Sequence, residues 1–170
     1  LFLIPFSLYY GSYLPLKRAQ ALIGAMGKSS SANSFASYQN AWFPVLSSKS
    51  PVGEEEVLKQ FTSVTFDLFN SKKIPEETAN QLMAFVTSYV EPAIERGSGS
   101  GFVQYHYILG TLYQRAGFQY GIKEYIDKAE NLYKKGLEIS PTRPQFFFGL
   151  LDIYTQGGRM EEAEKIRKQI

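Results

Sequence analysis

Cysteine is missing altogether from the 170 residues, and histidine and tryptophan occur once each. Without thiols the chain forms no disulfide, no thiolate metal site and no cysteine nucleophile. A lone histidine, His106, excludes His-pair metal motifs. The Ser29-Ser30-Ser31 run has neither a base nor a Gly-x-Ser-x-Gly turn beside it, so it does not read as a nucleophile. A dominant charge is missing too. The formal net charge is +2, distributed as +2 over residues 1–60, −2 over 61–101 and +2 over 102–170, so no face is built to attract nucleic acid. Strict apolar/polar alternation is scarce, which argues against strands. Neither an enzyme nor a cofactor site is expected of this chain.

Aromatic residues are plentiful, at 15% of the chain, with 13 Phe and 12 Tyr. Such side chains fill gaps between helices or line grooves and membrane boundaries. The opening run Leu1-Phe2-Leu3-Ile4-Pro5-Phe6-Ser7-Leu8-Tyr9-Tyr10 is about half of the ~20 residues that cross a bilayer. Two tyrosines followed by Lys17-Arg18 give residues 1–14 the look of the interfacial end of a transmembrane helix. The alternative is a greasy segment packed on the domain.

Helical spacing runs through the rest. A first helix is expected from Pro15 to Met26, with Leu16, Ala19, Leu22, Ile23 and Met26 on its buried face. A second, about Asn33 to Phe43, carries Phe35, Tyr38, Ala41 and Trp42. Glu54-Glu55-Glu56 opens a third, whose three carboxylates suit the positive end of the helix dipole. Its apolar face is Val57, Phe61, Val64, Thr65, Leu68 and Phe69, and Asn70-Ser71-Lys72-Lys73 reads as the following turn. Pro75-Glu76-Glu77 starts a fourth, buried along Leu82, Phe85, Val86, Tyr89 and Val90, and Pro92 should end or kink it. Residues 15–96 thus read as a degenerate helical-repeat region, and Gly97-Ser98-Gly99-Ser100-Gly101 as a flexible linker.

Beyond the linker a pattern recurs. Ala129-x3-Tyr133-x2-Gly136 returns 34 residues later as Ala163-x3-Arg167-x2-Ile170. Leu109-Gly110-x2-Tyr113 precedes the first copy and Leu150-Leu151-x2-Tyr154 the second. Seven more residues separate the tyrosine from the alanine in the first copy, close to two helical turns, which predicts a long helix from Tyr120 to Ile139. Gly157-Gly158 is the tight turn of the second copy. Gly110, Ala129, Gly136 and Ala163 belong where backbones cross closely, and Tyr113, Tyr133 and Tyr154 where the gaps are wide. Overpacking such a crossing, as in Ala129→Leu, should cost roughly 1–3 kcal/mol.

Residues 102–170 therefore resemble a pair of tetratricopeptide (TPR) repeats, helix–turn–helix units of this period. Arg167 departs from the repeat at a position where an aromatic is expected, as does His106 where a tryptophan is usual. The resemblance implies an all-α, right-handed stack of antiparallel helix pairs, about eight helices in all. It also implies a groove lined by Tyr107, Thr111, Gln114 and Arg115 in the first repeat and Gln145, Phe148, Asp152 and Gln156 in the second. That set suits an extended peptide or a partner helix. The alternative is that these residues are merely solvent-exposed or packed against the N-terminal helices.

A second resemblance spans the chain. The apolar run, the Lys/Arg-marked helix pair, the Glu-rich helix, Leu-Gly-Thr-Leu-Tyr-x-Arg and Leu-Glu-Ile-Ser-Pro-Thr-Arg-Pro-Gln stand in the order found in the C-terminal region of O-antigen ligase/polymerase family membrane proteins. This likeness implies a bacterial membrane parent of surface-glycan assembly. That family's catalytic loop lies between membrane spans, so this segment would be a non-catalytic interaction module. Lys17 and Arg18 favour the cytoplasmic side. The competing expectation is a free-standing, cytoplasmic TPR adaptor.

His106 is expected to pack rather than catalyse. Arg143 is expected to hydrogen-bond carbonyls at the preceding helix end, with anion binding as the alternative. Phe146-Phe147-Phe148, at a helix start, must turn at least one ring outward.

Overall fold

In a computed structural model, described over residues 3–71, 74–97 and 102–170, the chain is helical with no strand among those residues. The elements are α1 (Leu3–Leu8), a π-helical turn (Tyr9–Tyr13), α2 (Leu14–Ser29), α3 (Phe35–Leu46), α4 (Glu54–Ser71), α5 (Glu76–Glu95), α6 (Phe102–Tyr120), α7 (Lys123–Ile139), α8 (Pro144–Gln156) and α9 (Met160–Arg167). Leu8, Tyr13 and Leu14 all hold right-handed helical dihedrals, so α1, the π turn and α2 follow one another without a break. Counted that way, the described residues form eight helical rods. Leu1, Phe2, Lys72, Lys73 and all but Gly97 of the expected linker lie outside the described residues.

Local chemistry explains where the helices begin and end. α3 starts at Phe35 rather than Asn33 because Ser34 caps it. The Ser37 N–H donates to Ser34 Oγ and the Ser34 N–H donates back to Ser37 Oγ, each at 3.2 Å. Two prolines stand inside helices, where the sequence suggested an end near Phe43 and an end or a kink at Pro92. Pro44 lies in α3, and Pro92 in α5, which continues to Glu95. The carbonyls deprived of a donor belong to Asn40 and Ser88, and both residues are exposed to water. Likewise α2 runs through Gly27-Lys28 to Ser29, whose hydroxyl donates to the Ala25 carbonyl at 2.5 Å.

The seven-residue insertion divides around one glycine. α6 and α8 end in the same way: Gly121 and Gly158 take φ of +70° and +71°, and the next residue's N–H reaches back five positions. Those bonds are Ile122 to the Gly117 carbonyl at 2.9 Å and Arg159 to the Tyr154 carbonyl at 2.8 Å. This is the Schellman closure, which needs a left-handed residue at the glycine. Eight residues separate Tyr113 from Gly121, but only four separate Tyr154 from Gly158. Eight separate Gly121 from Ala129, and five separate Gly158 from Ala163. One turn was therefore added to each helix, which keeps both inward faces in phase. The expected helix from Tyr120 to Ile139 is corrected to Lys123–Ile139, because the glycine turn occupies its first residues.

Among the described residues each helix packs only on neighbours one or two places away in the chain; α4, α6 and α8 form one such series. In the N-terminal half the core is a cluster of rings. Trp42 lies 4.9 Å from Phe61, and Phe61 meets Phe85 edge-on at 5.3 Å. Thr65 donates to the Phe61 carbonyl, leaving its oxygen to accept the Tyr38 hydroxyl at 2.8 Å.

The first helix corrects the sequence in one respect. Leu16, Ala19, Ile23 and Met26 do share a face, but it points outward, with Ile23 71% and Leu16 58% exposed. The packed face carries Arg18, Ala25 and Ser29, with Ala21 and Leu22 half-buried beside them. Arg18 is only 7% exposed, and its Nη1 donates to the carbonyls of Ser50 and Val52, both at 3.3 Å. Of the Lys17-Arg18 pair, only Lys17 is therefore displayed. No helix among the described residues is long and apolar enough to cross a membrane.

Candidate functional site

Tyr107, Thr111, Gln114 and Arg115 fall within about one third of the circumference of α6, and Gln145, Phe148, Asp152 and Gln156 along one stripe of α8. The two helices touch. What joins their stripes is Tyr133 of α7. Its ring is sandwiched between two glycines, where an added Cβ would lie 2.6 Å from it at Gly110 of α6 and 2.5 Å at Gly149 of α8. No side chain larger than hydrogen fits at either place, so the ring can reach through to the α6–α8 surface.

There the Tyr133 hydroxyl meets Gln114 Oε1 at 2.7 Å and Thr111 Oγ1 at 3.3 Å. Thr111 gives its own proton to the Tyr107 carbonyl, so both oxygens act as acceptors for the tyrosine. The Gln114 side-chain amide then donates across to Asp152 Oδ2, which also accepts from Gln156 Nε2 at 2.8 Å. Tyr107 completes the strip, its ring 6.3 Å from Tyr133 and 6.1 Å from Phe146. Burial pushes the Tyr133 hydroxyl far above the ordinary tyrosine range, so it stays a neutral donor.

The structure thus connects Tyr107, Thr111, Gln114, Asp152 and Gln156 into one chain of contacts. Phe148 stands at its edge, 55% exposed, while Phe146 is fully buried and Phe147 half-buried. Arg115 and Gln145 are exposed on the same stripes and are not drawn into the network. Asp152 keeps an exposed carboxylate on an otherwise aromatic and amide surface. Such a strip offers one anionic acceptor and one open ring.

A second polar cluster escaped the sequence. Glu130, 8% exposed, accepts from Arg159 Nη1 at 2.6 Å, Lys134 Nζ at 2.6 Å and the Tyr154 hydroxyl at 3.1 Å. Arg159 also grips Glu162 at 2.7 Å and lies 4.5 Å over the Tyr154 ring. Burial raises the Glu130 carboxyl, but the hydrogen bonds from Arg159 and Lys134 outweigh it and hold the group down to about 2. This cluster ties α7 to the α8–α9 turn and has no open coordination. Adjacent Ala129 carries the helical pattern, and Arg159 is 29 residues away, so spacing gave no signal for the pair.

The remaining candidates are structural. His106 is buried, edge-on to Phe102 at 5.0 Å, with Nδ1 bonded to the Phe102 carbonyl at 3.0 Å. Arg143 was expected to hydrogen-bond carbonyls at the preceding helix end; instead its guanidinium donates to Gln104 Oε1 of α6. Among the described residues no group of three or more His, Asp or Glu side chains could hold a metal ion. Compared with protein-family models, with curated proteins and with solved structures, the chain matches none.

Proposed function

We propose that this chain is a non-catalytic protein-interaction module whose α6–α8 face binds an extended peptide or a partner helix. The observation that carries the reading is the bond from Gln114 to Asp152, which unites the exposed faces of α6 and α8 around the Tyr133 pivot. The partner segment would place an apolar side chain against Phe148 and Tyr107 and a donor, lysine or arginine, on Asp152. The finer architecture belongs to the same proposal: a right-handed, TPR-like stack of antiparallel pairs, α6–α7 and α8–α9 being two repeats. Neighbour-only packing and the matching glycine closures at Gly121 and Gly158 support it. On the sequence resemblance, the parent is a bacterial membrane protein of surface-glycan assembly, with this module on the cytoplasmic side.

The test is a selection of random dodecapeptides displayed on phage against the full chain, with F148A/D152A as the counter-target. Peptides carrying a basic and an apolar residue at fixed spacing should emerge and bind the variant at least tenfold more weakly. Peptides that bind both proteins equally, or none at all, would defeat the assignment of this face.

A further inference from the structure

We propose that the α6–α8 strip selects lysine over arginine in its partner, with Asp152 as the specificity-determining residue. The inference rests on the reading of that strip as a peptide-binding face and names which cation it takes. It follows from the direction of the hydrogen bonds rather than from their number.

Gln114 has a single satisfactory orientation. One end of its amide meets the Tyr133 hydroxyl at 2.7 Å and the other meets Asp152 Oδ2. A carboxylate only accepts, so the amide nitrogen must face Asp152 and the amide oxygen Tyr133. Turned the other way, the amide would bring two acceptor oxygens together. Tyr133 fixes the choice, because it is buried, stays protonated and donates. Thr111, its second neighbour at 3.3 Å, returns no proton, since its hydroxyl bonds the Tyr107 carbonyl at 2.9 Å. From one turn further along α8, Gln156 Nε2 donates to the same Asp152 Oδ2 at 2.8 Å. A carboxylate oxygen has two lone-pair sites, and both on Oδ2 are thereby taken. Among the described residues no hydrogen bond reaches Oδ1, and Asp152 is exposed, which leaves Oδ1 for a ligand.

The two basic side chains differ in what they ask of such a carboxylate. A guanidinium delivers two parallel N–H groups, one to each oxygen. Here its second N–H would meet a filled oxygen flanked by the amide hydrogens of Gln114 and Gln156. An ammonium is a point donor that needs Oδ1 alone and turns its remaining hydrogens to water. Phe148 stands one turn before Asp152 on the same face of α8 and is exposed. The four-carbon lysine stem can lie along that ring while its charge reaches Asp152.

Two dodecapeptide phage libraries, random except for a central residue fixed as lysine in one and arginine in the other, test this on the full chain. The strongest binders are resynthesised with the basic residue exchanged and titrated by fluorescence anisotropy. Exchanging lysine for arginine should weaken binding roughly tenfold, the loss expected for one charge-assisted hydrogen bond. Q156A, which trims an exposed side chain, gives Oδ2 back a lone pair, so the ratio should fall to about one or invert. D152N should weaken both forms and erase the ratio. Arginine peptides that bind wild type as tightly as lysine peptides would overturn the selectivity, even where both lose affinity for F148A/D152A and the strip itself stands. A lysine preference unchanged in Q156A would overturn it too, by assigning the discrimination to something other than the filled oxygen. Binders that ignore F148A/D152A altogether would defeat the strip and the selectivity together.

Discussion

Glycine does opposite work in the two halves of this molecule. At Gly11, Gly24 and Gly27 an added Cβ would meet nothing within 4 Å. At Gly110, Gly117 and Gly149 it would lie 2.5–2.7 Å from an aromatic or isoleucine side chain, and at Gly136 it would overlap the ring of Phe146. The N-terminal helices pack around large rings, Trp42, Phe61 and Phe85, and their glycines are left facing outward. The C-terminal helices close over Tyr133 and Phe146 only because hydrogen replaces a side chain at each crossing. One half is filled and the other interlocked. The interlocked half also carries the surface proposed for binding, since the ring that its glycines admit positions Thr111 and Gln114.

The sharpest way to break this comparison is at Tyr133. Tyr133→Ala should destabilise the chain by about 3–5 kcal/mol, because it empties the space between Gly110 and Gly149. Tyr133→Phe should cost only about 1 kcal/mol and yet loosen Gln114, so peptide affinity falls more than stability does. Urea unfolding followed by tryptophan fluorescence measures the first effect, and titration of a selected peptide the second. Equal losses for the two variants would mean that the hydroxyl, not the ring, holds the helices together.

Glu130→Gln comes next, at about 2–3 kcal/mol, since it leaves Arg159 and Lys134 facing a neutral amide in a largely dry position. The pH dependence has a definite sign. The folded carboxyl is held near 2, below its ordinary value of 4.5, so the ion cluster stabilises above the ordinary carboxylate range. That contribution is lost as pH falls from 4.5 toward 2. The gap in melting temperature between wild type and Glu130→Gln should therefore be wide at neutral pH and narrow across that interval. A gap independent of pH would assign the effect to packing. Gly136→Ala should cost roughly 1–3 kcal/mol by overpacking against Phe146, read in the same unfolding experiment.

How far the sequence could be read follows from what periodicity encodes. It records which residues share a face, and the stripes of α2, α4 and α5 were legible for that reason. It does not record which side the rest of the protein occupies, so the Leu16–Ile23 stripe was assigned to the core although Arg18 and Ser29 pack there instead. Gly110 and Gly136 were recognisable as crossing points because the repeat pattern demands small residues there. Gly149 was not: it sits in Phe146-Phe147-Phe148-Gly149-Leu150, and its partner Tyr133 lies on another helix. The candidate groove positions came from the TPR resemblance, but the bonds that join them across α6 and α8 depend on interhelical register. Arg18 reads from the sequence as half of an interfacial Lys/Arg pair, because nothing local reveals that it donates to the carbonyls of Ser50 and Val52.

The smallest effect probes the open side of the comparison. Gly24 and Gly27 lie inside α2, where glycine forfeits backbone entropy without relieving any contact. Gly24→Ala and Gly27→Ala should each stabilise the isolated chain by about 0.5–1 kcal/mol, the helix-propensity difference with nothing to oppose it. Urea midpoints resolve a change of that size when the double variant is compared with wild type. The sign matters more than the magnitude, since Gly136→Ala should move the midpoint in the opposite direction. If Gly24→Ala instead destabilised the protein, its Cβ would have met something in solution, and a second copy seated on α2 would be the first suspect. Repeating the measurement over a range of protein concentrations separates these cases, because only a face covered by self-association gives a midpoint that shifts with dilution.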